Sequence, residues 1–235
     1  MNLKIVILDE PIHIYNSKAC KLWQNAIWAK ELGYKSQYKS SILPIGTDDF
    51  FGTHLIVVNE LSDGDWDPVV MYKVVRRTQS NKFNVPFGAI SLLKGTKYEN
   101  SIELQQILED PAEISYDSSW SINPKYKKDK EFSTLLRDYI TLFCCNIHQI
   151  FGYNRWLTAG VQKFKIDEYF SWLGCKKILP DFELLIIDND KVSMFYVPDA
   201  ASLSKEAKAV AKKLSKEWDN KIIFQPDRLS EQKVA

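Results

Sequence analysis

Residues 113–178 read EISYDSSWSINPKYKKDKEFSTLLRDYITLFCCNIHQIFGYNRWLTAGVQKFKIDEYFSWLGCKKI, and the order of elements in this stretch decides the fold. From Glu113 to Asn123 large apolar and small polar side chains alternate, the period-2 pattern of a half-buried strand. Asn123-Pro124 ends it, because proline cannot donate to a ladder. In the next run the apolar positions 132, 135, 136, 139, 140, 143, 147, 150 and 151 recur at spacings of three and four. That spacing predicts one long helix with a broad apolar face, closed by Gly152. Arg155–Val161 is strand-like, and residues 165–174 form a short amphipathic helix ending at Gly174. The stretch therefore reads strand, turn, long helix, strand, short helix, which implies an α/β fold with a mixed sheet.

Working outward, Lys4–Leu8 is a short strand broken by Asp9, Glu10 and Pro11. A helix starts at Ser17, with Cys20, Trp23, Ile27 and either Trp28 or Leu32 on one face, and Gly33 ends it. Residues 35–47 form a polar loop of about a dozen residues, a length often reserved for function. Residues 54–78 read as a hairpin of two strands around the turn Leu61–Pro68. Residues 79–112 are an excursion between strands, with a helical turn or two at 102–108. Beyond Cys175, Lys177–Ile187 reads as one long apolar strand, residues 188–191 as a tight turn and Val192–Val197 as its partner. Ser202–Trp218 reads as a single helix, capped by Ser202 or Ser204, with Leu203, Ala207, Val210 or Ala211, and Leu214 on its buried stripe. Residues 222–224 are extended and the last residues are expected to be disordered. One domain is expected over 1–200, with a C-terminal helix and tail over 201–235 packed on it.

The 31 basic and 30 acidic residues leave a net charge of +1, which gives no basic bias of the kind a nucleic-acid binder carries. No apolar run approaches the ~18 residues of a membrane span. The N-terminus is acidic too soon for a signal peptide, so a cytoplasmic protein is expected. Cysteines 20, 144, 145 and 175 have no metal spacing with the histidines and read as reduced, buried thiols; no metal is expected. Walker-type and dinucleotide fingerprints are absent.

The order of elements, with Ser-Ile-Asn-Pro-Lys-Tyr-Lys after the central strand and Trp172-Leu-Gly-Cys closing the short helix, resembles the GNAT superfamily of N-acyltransferases. A front helix, the acidic pair Asp48-Asp49 before His54-Leu-Ile-Val, and a hairpin returning into a strand that ends in Arg76-Arg77 resemble one branch. That branch holds the acyl-homoserine-lactone synthases and the long-chain N-acyl amino acid synthases. The resemblance covers about residues 16–198. It departs from the branch at Gln24, where an arginine is usual, and in having either Asp117-Ser-Ser or Glu113-x-Ser115 for a Glu-x-Ser-Arg motif, with its arginine missing in both registers.

The resemblance implies a GNAT-like sheet flanked by helices and transfer of an acyl group to an amine. The donor would be acyl carrier protein or acyl-CoA, the acceptor a small molecule such as an amino acid, and no cofactor would be tightly bound. It places Trp28, Asp48, Asp49, Arg76 and Trp120 on the substrate side, with Asp48 and Asp49 binding the acceptor's ammonium or pairing with Arg76. Ile122, Lys125, Lys127, Lys128, Phe132 and Ser133 would hold the donor. The family's glycine-rich phosphate loop is replaced here by Lys125-Tyr-Lys-Lys-Asp-Lys, so backbone N–H groups at 131–134 and the adjacent lysines would have to do its work. Phe83, Phe87, Ile90, Leu92 and Leu93 either line an acyl tunnel or fill the core.

Glu113 and Asp117 on the central strand are the candidate general bases. They are four residues apart, hence on one face of a regular strand, and a carboxylate in a dry cleft gains proton affinity. The family's usual tyrosine acid falls at Phe170, with Tyr169 beside it. Two other readings stay open: a short-chain acetyl-CoA-dependent N-acetyltransferase, and a non-catalytic binding protein of the same fold.

Overall fold

The structure, a computed structural model, describes residues 1–38, 45–127, 130–184, 187 and 189–226. The expectations for Lys128 and for the last nine residues fall outside them. Among the described residues one sheet runs β6-β8-β5-β4-β3-β2-β1-β9, with β7 also paired to β8. Its first half is antiparallel: β1 (Leu3–Asp9) pairs with β2 (Thr53–Glu60), β2 with β3 (Trp66–Arg76), and β3 with β4 (Ile114–Ile122). The hairpin expected at 54–78 is β2 and β3. β4 then crosses through α6 (Lys130–Phe151) to lie parallel to β5 (Arg155–Val161), and β5 pairs antiparallel with β8 (Asp190–Val197).

Helices cover both faces. α1 (Ser17–Lys35) packs Leu22, Ala26 and Ala29 against Val6, Leu8, Ile56 and Val58. Its N-cap Asn16 accepts from the Ala19 N–H at 3.0 Å. The helix runs past Gly33 rather than ending there. Gly33 lets α1 cross β4 closely: a Cβ would stand 2.3 Å from Ser121 Oγ and 3.3 Å from the Ile122 carbonyl oxygen. α2 (Asp48–Phe51) precedes the hairpin, and between the hairpin and β4 lie α3 (Arg77–Lys82), α4 (Gly88–Leu93) and α5 (Ile102–Glu109).

The opposite face is α6. Its expected stripe is buried at Leu136, Tyr139, Ile140, Phe143 and Ile147, but Leu142, Cys144 and Cys145 are buried as well. The reason is a second layer: Ala207, Ala211, Leu214 and Trp218 pack on the helix from its outer side. The single helix expected over 202–218 is two, α8 (Lys205–Lys213) and α9 (Ser215–Asp219), capped by Ser204 and divided at Leu214. Ile222–Phe224 is a strand, β9, parallel to β1.

The long strand expected at 177–187 is instead β6 (Lys176–Lys177) and β7 (Phe182–Leu184), both on β8. Pro180 between them cannot donate to the ladder. α7 (Ile166–Leu173) ends at Gly174, whose φ of 92° is the left-handed cap that glycine allows without strain.

Gly160 in β5 fixes how closely α7 approaches the sheet. A Cβ there would stand 2.9 Å from the Asp167 nitrogen and 3.0 Å from the Ile166 carbonyl carbon, both backbone atoms that cannot rotate away. Gly160→Ala is therefore expected to cost about 1–3 kcal/mol and to lower Tm by several degrees in thermal unfolding. An unchanged Tm would show that α7 shifts freely.

Candidate active site

β4 and β5 pair only from Ile114↔Arg155 to Asp117↔Thr158. Beyond Asp117 the strands separate. β4 stays on β3 and β5 on β8, and the gap between them opens into a cavity of about 320 Å³. Asp117 lies at the closed end. Ser118 to Ile122 form one wall, Ala159 and Val161 another, and Phe164, Ile166 and Phe170 a third. Tyr34, Gln37 and Tyr38 from the end of α1 close the fourth side.

The β4 wall is irregular. Register with β3 passes from Lys73↔Ser118 to Met71↔Ser121, so Ser119 and Trp120 together oppose Tyr72. This is a β-bulge of two residues against one, and Ser119 takes a left-handed φ of 58°. A serine held there costs about 1 kcal/mol or more, strain that gathers at functional sites. The bulge takes Ser119 and Trp120 out of the ladder at the cavity wall. Trp120 lies 5.0 Å from the Tyr169 ring, centroid to centroid.

Asp117 is buried. Ser115 Oγ donates to its Oδ1 at 2.7 Å and the Tyr72 hydroxyl donates to its Oδ2 at 2.9 Å. Burial pushes its carboxyl up to about 7, and these two hydrogen bonds hold it from rising further. Among the described residues no ion pair involves Asp117. A carboxyl with that proton affinity at the blind end of a cavity can exchange a proton near neutrality.

The other expected site residues divide sharply. Trp120, Ile122 and Lys127 line the cavity with Asp117. Glu113 does not: it precedes β4 by one residue and its Oε1 accepts from the Thr78 and Ile114 N–H groups, at the start of α3. Regular alternation fails for it because the strand has not yet begun. Trp28 is 57% exposed and away from the cavity, under the Lys35 ammonium at 5.9 Å. Arg76 pairs with Asp9 at 2.8 Å and lies over the Phe151 ring, not with the acidic pair.

Asp49 is fully buried. Its Oδ1 accepts from Lys30 Nζ at 2.7 Å and Lys73 Nζ at 2.9 Å, while Gly46 N–H donates to Oδ2 at 2.7 Å. Asp48 adds a pair to Lys73 at 2.8 Å. The two ammonium groups thus converge on the buried Asp49, while Asp48 is partly exposed and meets Lys73 from the side. Burial alone would raise the Asp49 carboxyl, but Lys73 and Lys30 outweigh it and hold it at about 2.

On the donor side, Lys125 is drawn to Asp67 at 2.5 Å, where Tyr126 also donates. Phe132 packs against the main core, and neither it nor Ser133 lines the cavity. Of the apolar residues expected in a tunnel or the core, Phe87 and Leu93 are core, Phe83 stacks on Phe51 at 4.8 Å, and Ile90 is exposed. Leu92 borders a separate cavity of about 620 Å³ with Asp48, Tyr116 and Leu184. Tyr72 is the neighbour that sequence reasoning missed. It is 45 residues from Asp117 in the chain, and only strand pairing brings its hydroxyl to the carboxylate.

Phe170, where the resemblance led one to expect a tyrosine acid, lines the cavity without a hydroxyl; the adjacent Tyr169 hydroxyl is engaged by Thr141 Oγ1 at 2.8 Å. Among the described residues no group of acidic, histidine and cysteine side chains is placed to hold a metal ion, and no helix is long and apolar enough to cross a membrane.

No protein-family profile and no curated protein matches the sequence. Solved structures do match in three dimensions. BjaI, a CoA-dependent acyl-homoserine lactone synthase, is 13% identical, with 96% of this chain and 95% of that one covered and a TM-score of 0.56. FeeM, an N-acyl amino acid synthase from uncultured soil microbes, is 11% identical over 88% of this chain and 98% of that one, with a TM-score of 0.52. MesI, another CoA-dependent acyl-homoserine lactone synthase, is 10% identical over 91% and 95%, with a TM-score of 0.51. The chain has the GNAT fold in the form that these synthases share.

Proposed function

We propose that this chain is an N-acyltransferase that moves an acyl group from a phosphopantetheine thioester to the amine of a small molecule such as an amino acid. The observation that carries the reading is the cavity between the splayed ends of β4 and β5 with the Asp117 carboxyl at its closed end. Edges of two strands that have parted present backbone N–H and C=O groups that an extended, amide-bearing arm can pair with. A phosphopantetheine arm carries two such amides. The thioester at its tip would then lie toward Asp117, and the cavity volume is of the size that small ligands fill.

The chemistry follows from the groups present. An ammonium first loses one proton to solvent. The amine attacks the thioester carbonyl, and Asp117 accepts the second proton that the nitrogen sheds as the C–N bond forms. A buried carboxyl near 7 suits this role, being ionised at neutral pH yet basic enough to take the proton. Holding amine and thioester in one dry cleft supplies much of the remaining rate. Backbone N–H groups released by the bulge at Ser119 and Trp120 are the candidate oxyanion donors. Lys127 at the cavity wall supplies positive charge for the phosphate end of the arm, whether CoA or acyl carrier protein bears it.

The test is mass spectrometry of organic extracts from cells expressing the chain. A new acylated amine is expected from the wild type and from Glu113→Gln, whose carboxylate lies off the cavity. It should be missing from Asp117→Asn. No new species from soluble, folded wild type would overturn the reading.

A further inference from the structure

The cavity holds an acid as well as a base, and the two are hydrogen-bonded to each other. Tyr72 stands on β3 directly opposite the bulge, lines the cavity, and is buried. Its hydroxyl lies 2.9 Å from Asp117 Oδ2 and 3.3 Å from the Cys144 sulfur. Acyl transfer from a thioester needs a second proton transfer that Asp117 alone does not provide. The departing thiolate must be protonated, or it re-attacks the new carbonyl. Phe170 has no proton to give, and the Tyr169 hydroxyl is occupied by Thr141. Among the described residues lining the cavity, the hydroxyl in contact with the base is that of Tyr72.

We propose that Tyr72 is the general acid of this site and that it works with Asp117 as a relay, carrying one proton from the attacking nitrogen to the leaving sulfur. The inference rests on the acyl-transfer reading above. Each step balances. The C–N bond forms and the nitrogen's proton passes to Asp117 Oδ2. The C–S bond breaks, its electron pair stays on sulfur, and the Tyr72 hydroxyl proton moves to that sulfur. The phenolate left behind takes the proton of Asp117 across their hydrogen bond. The pair ends as it began, with Tyr72 neutral and Asp117 ionised, and no outside acid or base is needed.

Two features of the geometry favour this role over a merely structural hydrogen bond. The two oxygens already share a hydrogen bond, so the return step needs no rearrangement. Tyr72 lines the cavity opposite the bulge, where two residues interrupt the ladder pairing of β3 with β4. Burial and the neighbouring Asp117 carboxylate also push the phenol well above its ordinary value, which keeps it protonated until a thiolate forms. The Cys144 sulfur, pushed upward by burial in the same way, remains a thiol and does not compete for the role.

The test separates an acid from a prop by varying the leaving group. Wild type, Tyr72→Phe and a variant with 3-fluorotyrosine at position 72 are assayed with octanoyl-pantetheine and with the octanoyl ester of thiophenol, the twenty common amino acids pooled as acceptor. An aryl thiolate is a good leaving group without protonation; an alkyl thiolate is not. Tyr72→Phe is expected to lose about 10²-fold or more with octanoyl-pantetheine and to stay within about threefold of wild type with the aryl ester. The 3-fluorotyrosine variant, which keeps a donating hydroxyl, should stay close to wild type with both, and it remains informative if Tyr72→Phe does not fold. Equal losses with the two donors would reduce Tyr72 to a structural partner of Asp117 and overturn the relay. Undiminished transfer from octanoyl-pantetheine by Tyr72→Phe would overturn it too. If the wild type transfers from neither donor, the acyl-transfer reading itself falls, a result distinct from both.

Discussion

Asp117→Asn is expected to reduce acyl transfer by about 10²–10⁴-fold while leaving the protein folded. Asparagine keeps the shape of the side chain. Its oxygen can still accept from Ser115 and its amide can donate to the Tyr72 oxygen, so the buried polar cluster stays satisfied. What it loses is the ability to take a proton. Wild-type kcat/KM should therefore rise with pH through about 7, as the carboxyl ionises, and the variant's residual rate should lack that limb. Stability gives a second readout of opposite sign. Burial raises the folded-state carboxyl above the ordinary value of 3.8, so the folded protein holds this proton more tightly than the unfolded chain. Asp117 therefore costs nothing in acid, begins to destabilise the fold as pH climbs past 3.8, and exerts its full cost above about 7. Each tenfold in proton affinity corresponds to about 1.4 kcal/mol. Asp117→Asn should accordingly match or fall below wild type in Tm at pH 4 and exceed it at pH 8. A variant that retains transfer, or a Tm difference that does not move with pH, would remove Asp117 from the role of base.

The second large effect is expected at Asp49, which does not line the cavity. Asp49→Asn removes the carboxylate that the buried Lys30 and Lys73 ammonium groups share, while Lys73 keeps its pair with Asp48. Breaking a buried pair in this way typically costs about 3–5 kcal/mol, because the charge that remains has no water to return to. For a chain of this size that is a fall in Tm of about 10 °C. The loss should be greatest at neutral pH. Asp49 is held at about 2, below the ordinary 3.8, so its contribution is present above pH 3.8 and disappears as pH falls through 2. Adding Lys30→Met should recover part of the loss by removing one of the two buried cations, and a double-mutant cycle would measure the coupling. A Tm within about 2 °C of wild type for Asp49→Asn at pH 7 would contradict the arrangement.

The sequence by itself determined the elements and their order. Apolar spacings of three and four between residues 132 and 151 specified α6, and period-2 alternation from 114 to 122 specified β4, because both patterns are properties of neighbours along the chain. The order strand, helix, strand, helix was enough to find the fold. Asp117 was singled out in the same way, together with Glu113, as acids four residues apart on one strand. Local pattern failed where an interaction depends on another part of the chain. Glu113 has the right parity to join Asp117, yet it accepts instead from the Thr78 N–H of α3 and the Ile114 N–H. Asp49 was expected to serve a substrate or Arg76, and finds Lys30 and Lys73 instead, 19 and 24 residues distant. Helix α6 was expected to bury one face and buries two, because α8 and α9 fold back over it. Pro180 was in view but its consequence for a strand assigned to 177–187 was not. The meeting of Tyr72 with Asp117, and the cavity above them, belong to the tertiary structure alone. They depend on which strands are adjacent, where β4 leaves β5, and where a bulge interrupts the register. Those are contacts between distant segments, and side-chain periodicity carries no information about them.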